Sequence, residues 1–452
     1  MKALFRKSGN KIRLYLQRFI LTIQLNWENS LANHAAACAY GFLLSIAPML
    51  LLIAFIIFNL FHPSLTAIAA FFNNISFLSG IFNENWLSSE LFTSLNPGLS
   101  SVISIIAIIW ASRILALSIQ RGLKIVFPAD KNRNPVSDNL VMLVIEAVVI
   151  ISIIVITLGS RTAMHFYKLL DFFSNSLFFQ IITSRYGSFI LYIFILGLVS
   201  YFLYLFVPVK SPRKFSAFQG TLFFVITYSI VAIGLRMILD ISRYNFIYGT
   251  LGNMIILLVN VFFFFNFFFM GAQLAFVIDS FDTLFMIKYR QINIKSREID
   301  NTKKQKKNLN LFEKLFSISN GDSNKYLRSY KKDEMIISQD DTGYEIYYLM
   351  EGEVEIVISS ENNENHSIGS LDAGSFFGEM RYLLSSNRCA SIKAKTDVNV
   401  LIIPHQVFDE MLKYDTSLDR DIIKQMSLRI EDITKQIKPG SGNLHKITPD
   451  NN

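Results

Sequence analysis

Cysteine is nearly missing: Cys38 and Cys389 are the only two in 452 residues. Two thiols so far apart make no disulfide framework and no thiolate metal cluster, and a reducing compartment suits them. Histidine is also scarce. His34, His62, His165, His366, His405 and His445 are scattered, at no spacing that builds a metal site. With no metal and no nucleophile constellation, the sequence predicts no catalytic residues and no enzyme. Charge is thin too, at 17% charged against 52% hydrophobic residues. It is also uneven: residues 34–280 carry little, whereas the region after 285 is rich in Lys, Glu, Asp and Asn. That asymmetry predicts a membrane part followed by a soluble part. The net charge of +8 fits attraction to anionic membrane lipid. No basic stripe with interleaved aromatics is present, so a nucleic-acid partner is not expected. The N-terminus does not read as a cleavable signal, because its apolar run starts late and lacks a small-residue cleavage site.

What is abundant is long apolar sequence. A helix needs roughly 20 apolar residues to cross the hydrocarbon core. Six segments qualify, at about 36–60, 99–119, 139–159, 188–208, 217–239 and 254–278. In the third and sixth, apolar residues surround the whole helix, which is a membrane pattern and not an amphipathic one. Thirteen Lys and Arg fall in the N-terminal segment and alternate short loops, against four in the opposite loops. That bias places both termini in the cytoplasm. Residues 1–33 read as an interfacial helix on that side, with Trp27 near the headgroups.

Polar residues inside such spans are costly and are functional candidates by default. Arg113 and Glu146 each sit roughly 10 Å from the cytoplasmic ends of spans two and three, at ~1.5 Å rise per residue. They can face each other as an ion pair, which would either lock two helices together or line a substrate path. Asn260 and Asn266 in span six suit interhelical hydrogen bonding.

Four blocks in the membrane part resemble the YihY/BrkB family of inner-membrane proteins. The first is "AAACAYGFLLSIAPMLLL" (35–52), with Ala39, Tyr40, Ser45 and Pro48. The second is "IWASRILALSIQRGLKIVF" (109–127), and the third is "YLFVPVKSPRKFSAFQGTLFF" (204–224). The fourth pairs "FIYGTLGNMIILL" with "FFFMGAQLAF" (246–276). Gln273 stands where the family has an acidic residue. The resemblance covers about residues 15–285, with 34–283 as the membrane domain. It implies a six-helix bundle in the inner membrane with a transport or envelope role, and names no substrate.

Residues 284–312 carry eight Lys and Arg directly after the last span, and read as a basic linker close to anionic headgroups. Beyond it the chemistry changes. "EIYYLMEGEVEIVIS" (345–359) alternates like two strands around Gly352, and "CASIKAKTDVNVLIIP" (389–404) like two more. From 405 onward, Leu418, Ile422, Ile423, Met426, Leu428 and Ile430 have helical spacing. The expectation for 313–438 is a jelly-roll-like β-roll with flanking helices, with 439–452 as a disordered tail.

The segment "FGEMRYLLSSNRCAS" (377–391) resembles the phosphate cassette of cyclic-nucleotide-binding domains, where the pattern is Phe-Gly-Glu, Leu-Leu, then Arg-x-Ala-Ser/Thr. The resemblance implies that Arg388 pairs with the cyclic phosphate and Glu379 takes the ribose 2′-hydroxyl. Backbone amides near Gly378 and Ala390, with the Ser391 hydroxyl, complete the cradle. The chemistry fits: a guanidinium forks onto two phosphate oxygens, and a short helix at about 379–384 turns its N-terminus to the anion. Asn387 stands where the family has Pro, Arg381 where it has a small residue and Asp333 where it has Gly.

Together these readings predict an α-helical membrane bundle of six transmembrane helices plus a C-terminal β-roll domain. The expected protein is a transporter or exporter regulated by cAMP or cGMP, with no cofactor besides that ligand. A homo-oligomer is compatible with it. The alternative is an envelope or interaction protein whose β-roll docks a partner.

Overall fold

The computed structural model describes residues 2–61, 99–129, 133–158, 185–238, 250–302, 315–316, 326–359, 365–384 and 386–437. Most of the predicted outer loops, residues 303–312 of the linker and the tail 439–452 lie outside the described residues. The chain forms two compact units. One is Arg18–Asp279; the other joins Met1–Gln17 to Ser280–Asn452.

The first unit is helical. It contains α2 (Leu31–Phe61), α3 (Leu99–Val126), α4 (Pro135–Leu158), α5 (Arg185–Phe206), α6 (Lys214–Ile238) and α7 (Thr250–Asp279), one on each predicted apolar segment. Among the described residues, Phe189–Phe206, Lys214–Leu235 and Ile255–Asp279 are long and apolar enough to cross a membrane. Without a hydrophobic drive between helices in lipid, association rests on close packing, which small residues permit. Gly220 of α6 and Gly271 of α7 show this. A Cβ on Gly220 would sit 2.4 Å from the Gly271 carbonyl oxygen, and one on Gly271 2.7 Å from the Gly220 oxygen. Tyr204 of α5 closes the crossing by donating its hydroxyl to the Phe268 carbonyl at 2.6 Å. Both glycines belong to the motif blocks, and this contact is a physical reason for them.

Several basic residues of the predicted loops brace the bundle. Lys124 pairs with Asp138 at 2.6 Å. Arg133 donates to the carbonyls of Val207 and Pro208 at the end of α5. Arg213 pairs with Asp279 at 2.6 Å.

The second unit holds two four-stranded antiparallel sheets. The strands are β1 (Leu327–Tyr330), β2 (Met335–Ile337), β3 (Ile346–Glu351), β4 (Glu353–Ser359), β5 (Asn365–Asp372), β6 (Phe376–Phe377), β7 (Ser391–Ala394) and β8 (Val398–Ile403). Their orders are β1-β8-β3-β6 and β2-β7-β4-β5. Leu349, Val354, Phe377, Ile392 and Val400 fill the core between them. This is the expected β-roll. Helices α9 (Glu379–Leu384), α10 (His405–Tyr414) and α11 (Thr416–Ile437) complete it.

Two boundaries differ from the sequence reading. Most of the predicted linker is α8 (Phe281–Thr302), a helix. Its residues Leu284, Phe285, Met286, Ile287 and Tyr289 are buried, so its first turns pack. The N-terminal helix, α1 (Lys2–Glu28), is shared between the units. Arg13 and Gln17 both donate to the Leu315 carbonyl at 2.7 Å. Along α1, Ile12, Tyr15, Phe19, Ile23 and Trp27 are exposed at helical spacing, a stripe suited to an interface.

Candidate functional site

The turn from β6 into α9 and on to β7 gathers the cassette. Gly378 has φ +79°, a left-handed conformation that L side chains avoid. That twist turns its carbonyl to the Arg388 guanidinium, which donates to it at 2.5 Å. A second Arg388 nitrogen donates to the Glu345 carbonyl at 2.7 Å. Nine residues apart in sequence, Arg388 and the Gly378-Glu379 step therefore meet in space. Arg388 is 4% exposed. Burial lowers its pKa, with Tyr347 and Glu345 acting in the opposite direction. It nevertheless remains a cation, and its Nε has no acceptor among the described residues.

Glu379 is 1% exposed. One carboxylate oxygen accepts from Arg429 of α11 at 2.5 Å, and the other has no donor among the described residues. Arg429 also donates to the Phe376 carbonyl. The site thus holds a buried cation and a buried carboxylate, each with one unmet hydrogen-bonding position. An anion beside the first and a hydroxyl beside the second would satisfy both. Ser391 is buried and its Oγ accepts from the Gln339 amide at 2.9 Å, which leaves its proton to donate. Ala390 is half-buried beside it.

Two departures from the cassette pattern explain each other. Arg381, buried, donates to the Ser386 carbonyl and to Asn387 Oδ1, both at 3.0 Å, and lies 4.1 Å from the centre of the Tyr344 ring. An Asn thus replaces the rigidity of proline by hydrogen bonding. Asp333 has φ +69°, where the family has Gly. Aspartate tolerates that region better than most side chains, and Lys393 holds its carboxyl below the usual range from 2.8 Å.

Sequence reasoning missed Arg429. Of the residues with helical spacing on α11, Leu428, Ile430 and Ile423 are 50%, 64% and 64% exposed. The face turned inward instead runs through Leu418, Ile422, Gln425 and Arg429. Gln425 accepts from the Phe376 amide and donates to the Gly374 carbonyl. The signal was present in the four-three-four spacing of these residues, but half of them are polar.

In the helical unit, Glu146 of α4 is buried and Asn266 of α7 is half-buried. Arg113 of α3 donates at 2.9 Å to Asn139, two turns before Glu146 on α4. Asn260 turns back to its own helix, donating to the Ile256 carbonyl at 3.0 Å, and does not use that donor on a neighbouring helix. Gln273 is fully buried and accepts from Asn29 at 3.3 Å.

Residues 22–284 match the family described as Virulence factor BrkB. The chain belongs to the BrkB family. In this BrkB chain, residues 327–415 match a second family, the Cyclic nucleotide-binding domain. Both expected resemblances are therefore found, fused in one chain. The second domain is 30% identical over 84 residues to the cAMP-dependent protein kinase regulatory subunit of Blastocladiella emersonii, covering 19% of this chain and 21% of that protein. It is 26% identical over 114 residues to the cAMP-activated global transcriptional regulator Vfr of Pseudomonas aeruginosa, covering 24% and 53%. A solved structure of cAMP-bound PfPKA-R is 29% identical, with 19% of this chain and 30% of that one covered and a TM-score of 0.19. The c-di-GMP-responsive regulator CLP of Xanthomonas campestris is 22% identical, covering 25% and 57%, with a TM-score of 0.23. The BrkB chain thus spans 21% to 53% of the length of these two curated relatives.

Gly378 gives a sharp test of the geometry. A Cβ there would lie 2.6 Å from Arg388 Nη1, and the backbone would be strained besides. Gly378→Ala is expected to cost about 1–3 kcal/mol and to displace the guanidinium. Thermal unfolding of the purified protein reads the first effect and nucleotide titration the second.

Proposed function

We propose that this BrkB-family chain is a six-span inner-membrane transporter or exporter whose activity is set by a cyclic nucleotide, cAMP or cGMP. Both termini and the nucleotide domain lie in the cytoplasm. Arg388 and the Ser391 hydroxyl hold the phosphate, the amides near Gly378 and Ala390 approach it, and Glu379 accepts from the ribose 2′-hydroxyl. A free carboxylate would repel phosphate, so Glu379 must serve the sugar side.

The observation that carries the reading is the ion pair between Glu379 and Arg429. A ribose hydroxyl must share Glu379 with Arg429, so occupancy acts directly on α11. The corner that leads into α11 in turn holds α8: Arg290 pairs with the buried Asp415 at 3.0 Å and also meets Asp421 of α11. Thr283 donates to Glu410 of α10 at 2.7 Å. Only Ser280 separates α8 from α7 along the chain. Regulation of this kind requires the nucleotide to bind two states of α11 unequally.

The test uses the full chain in lipid nanodiscs. Calorimetric titration with cAMP and cGMP is expected to show one site per chain, and a vesicle flux assay a rate that changes on nucleotide addition. Absence of binding removes the sensor. Binding without any flux in either state favours the partner-docking alternative.

A further inference from the structure

The helical unit holds a half-open pocket of about 360 Å³ between α2, α3, α4, α5, α6 and α7. Its wall includes Ser152, Ser200 and Asn260, yet is almost wholly apolar. The reason lies in where those polar atoms point. Ser152 Oγ donates to the Val148 carbonyl and Ser200 Oγ to the Leu196 carbonyl at 2.8 Å, each one turn back on its own helix. Asn260 Nδ2 does the same to Ile256. Most of what remains facing the space is aliphatic and aromatic: Val199, Leu203, Val261, Phe264 and Phe268 among others, with Tyr192 and Tyr228 also in the lining. The ring of Tyr228 packs edge-on to Phe264 at 5.2 Å between centroids.

Such a wall offers little to an ion, a sugar or a headgroup, and a water there needs two to four polar partners. An empty space of this size forfeits the contacts that close packing gives. At about 30 Å³ per water-sized unit, 360 Å³ is room for on the order of a dozen methylene-sized groups. The medium around helices apolar enough to cross a membrane is itself made of such chains. We propose that this cavity binds one acyl chain of a membrane phospholipid. The site rests on the membrane reading and is independent of nucleotide binding.

The full-length protein is purified, stripped by repeated detergent exchange and extracted, and retained phospholipid is counted by mass spectrometry. Wild type is expected to hold one phospholipid per chain. Val199→Phe and Val261→Phe, which fill the space, are expected to lower retention about tenfold while leaving the melting temperature equal or higher, since they replace void with contacts. Ile230→Phe, on an exposed face of α6, is expected to retain lipid like wild type. Equal retention by the filled variants and wild type overturns the proposal, as does equal loss with Ile230→Phe, because either result describes lipid on the outer surface only. Cyclic-nucleotide titration of the same samples separates this failure from failure of the sensor.

Discussion

Arg290→Met is expected to destabilise the second unit by about 3–5 kcal/mol, the usual cost of leaving a buried charge without its partner. Arg290 and Asp415 are 3% and 6% exposed in their side chains, at 3.0 Å. Asp421 also meets Arg290, but at 44% exposure solvent screens that pair, which contributes little. The loss therefore centres on Asp415. Its other oxygen already serves the start of α11, accepting from the Ser417 amide at 3.1 Å and from the Ser417 hydroxyl at 2.5 Å. Without the guanidinium, half of a buried carboxylate stands uncompensated at the corner between α10 and α11. Hydrogen exchange on the full-length protein reads the result locally, as faster exchange in α8, α10 and the first turns of α11. The double variant Arg290→Met/Asp415→Asn is expected to recover most of the loss, because it removes both charges together. Exchange unchanged from wild type in Arg290→Met would mean that α8 is held by its apolar face alone.

That apolar face shows where sequence legibility ends. The 284–312 segment reads as a tether because basic residues dominate its composition. Yet Leu284, Phe285, Met286, Ile287 and Tyr289 are clustered in its first part and buried. Composition averaged over the segment hides them. The six long helices were legible because long apolar runs are displayed directly in sequence, and among the described residues three of them are long and apolar enough to cross a membrane. The strands were legible because one buried face imposes alternation. The cassette was legible because its chemistry is local, with Gly378, Glu379, Arg388 and Ser391 within one short stretch.

Partners brought from a distance were not legible. Arg429 lies 50 residues from Glu379, on a helix whose most conspicuous apolar stripe faces outward. Leu428 and Ile430 flank it and drew the helix phase away from it. Gly220 and Gly271 stood out as parts of motif blocks, but only their mutual approach gives the reason that neither tolerates a side chain. Arg381 and Asn387 looked like two separate departures. Their shared hydrogen bond makes them one solution to the same turn.

The decisive variant at the site is Arg388→Ala. In the unliganded protein its removal costs two hydrogen bonds to the carbonyls of Gly378 and Glu345, about 1 kcal/mol each. Against that, it relieves the burial of a cation whose described hydrogen-bond acceptors are neutral carbonyls. The change in melting temperature without nucleotide is therefore expected to be modest. With nucleotide the difference is large. A ligand at 100 times its Kd stabilises a folded protein by about 2.7 kcal/mol. Truncating one side of a buried, hydrogen-bonded charge pair costs about 2–5 kcal/mol of binding. At the concentration that saturates wild type, the variant is expected to show almost no nucleotide-induced stabilisation. Arg388→Lys is expected to fall between, since an ammonium keeps the charge but loses the fork. The measurement is the difference in melting temperature with and without cAMP on each full-length variant, so that the unliganded cost cancels. A shift in Arg388→Ala equal to that of wild type would mean that the phosphate is held by other groups and that the buried guanidinium serves only to brace the Gly378 turn.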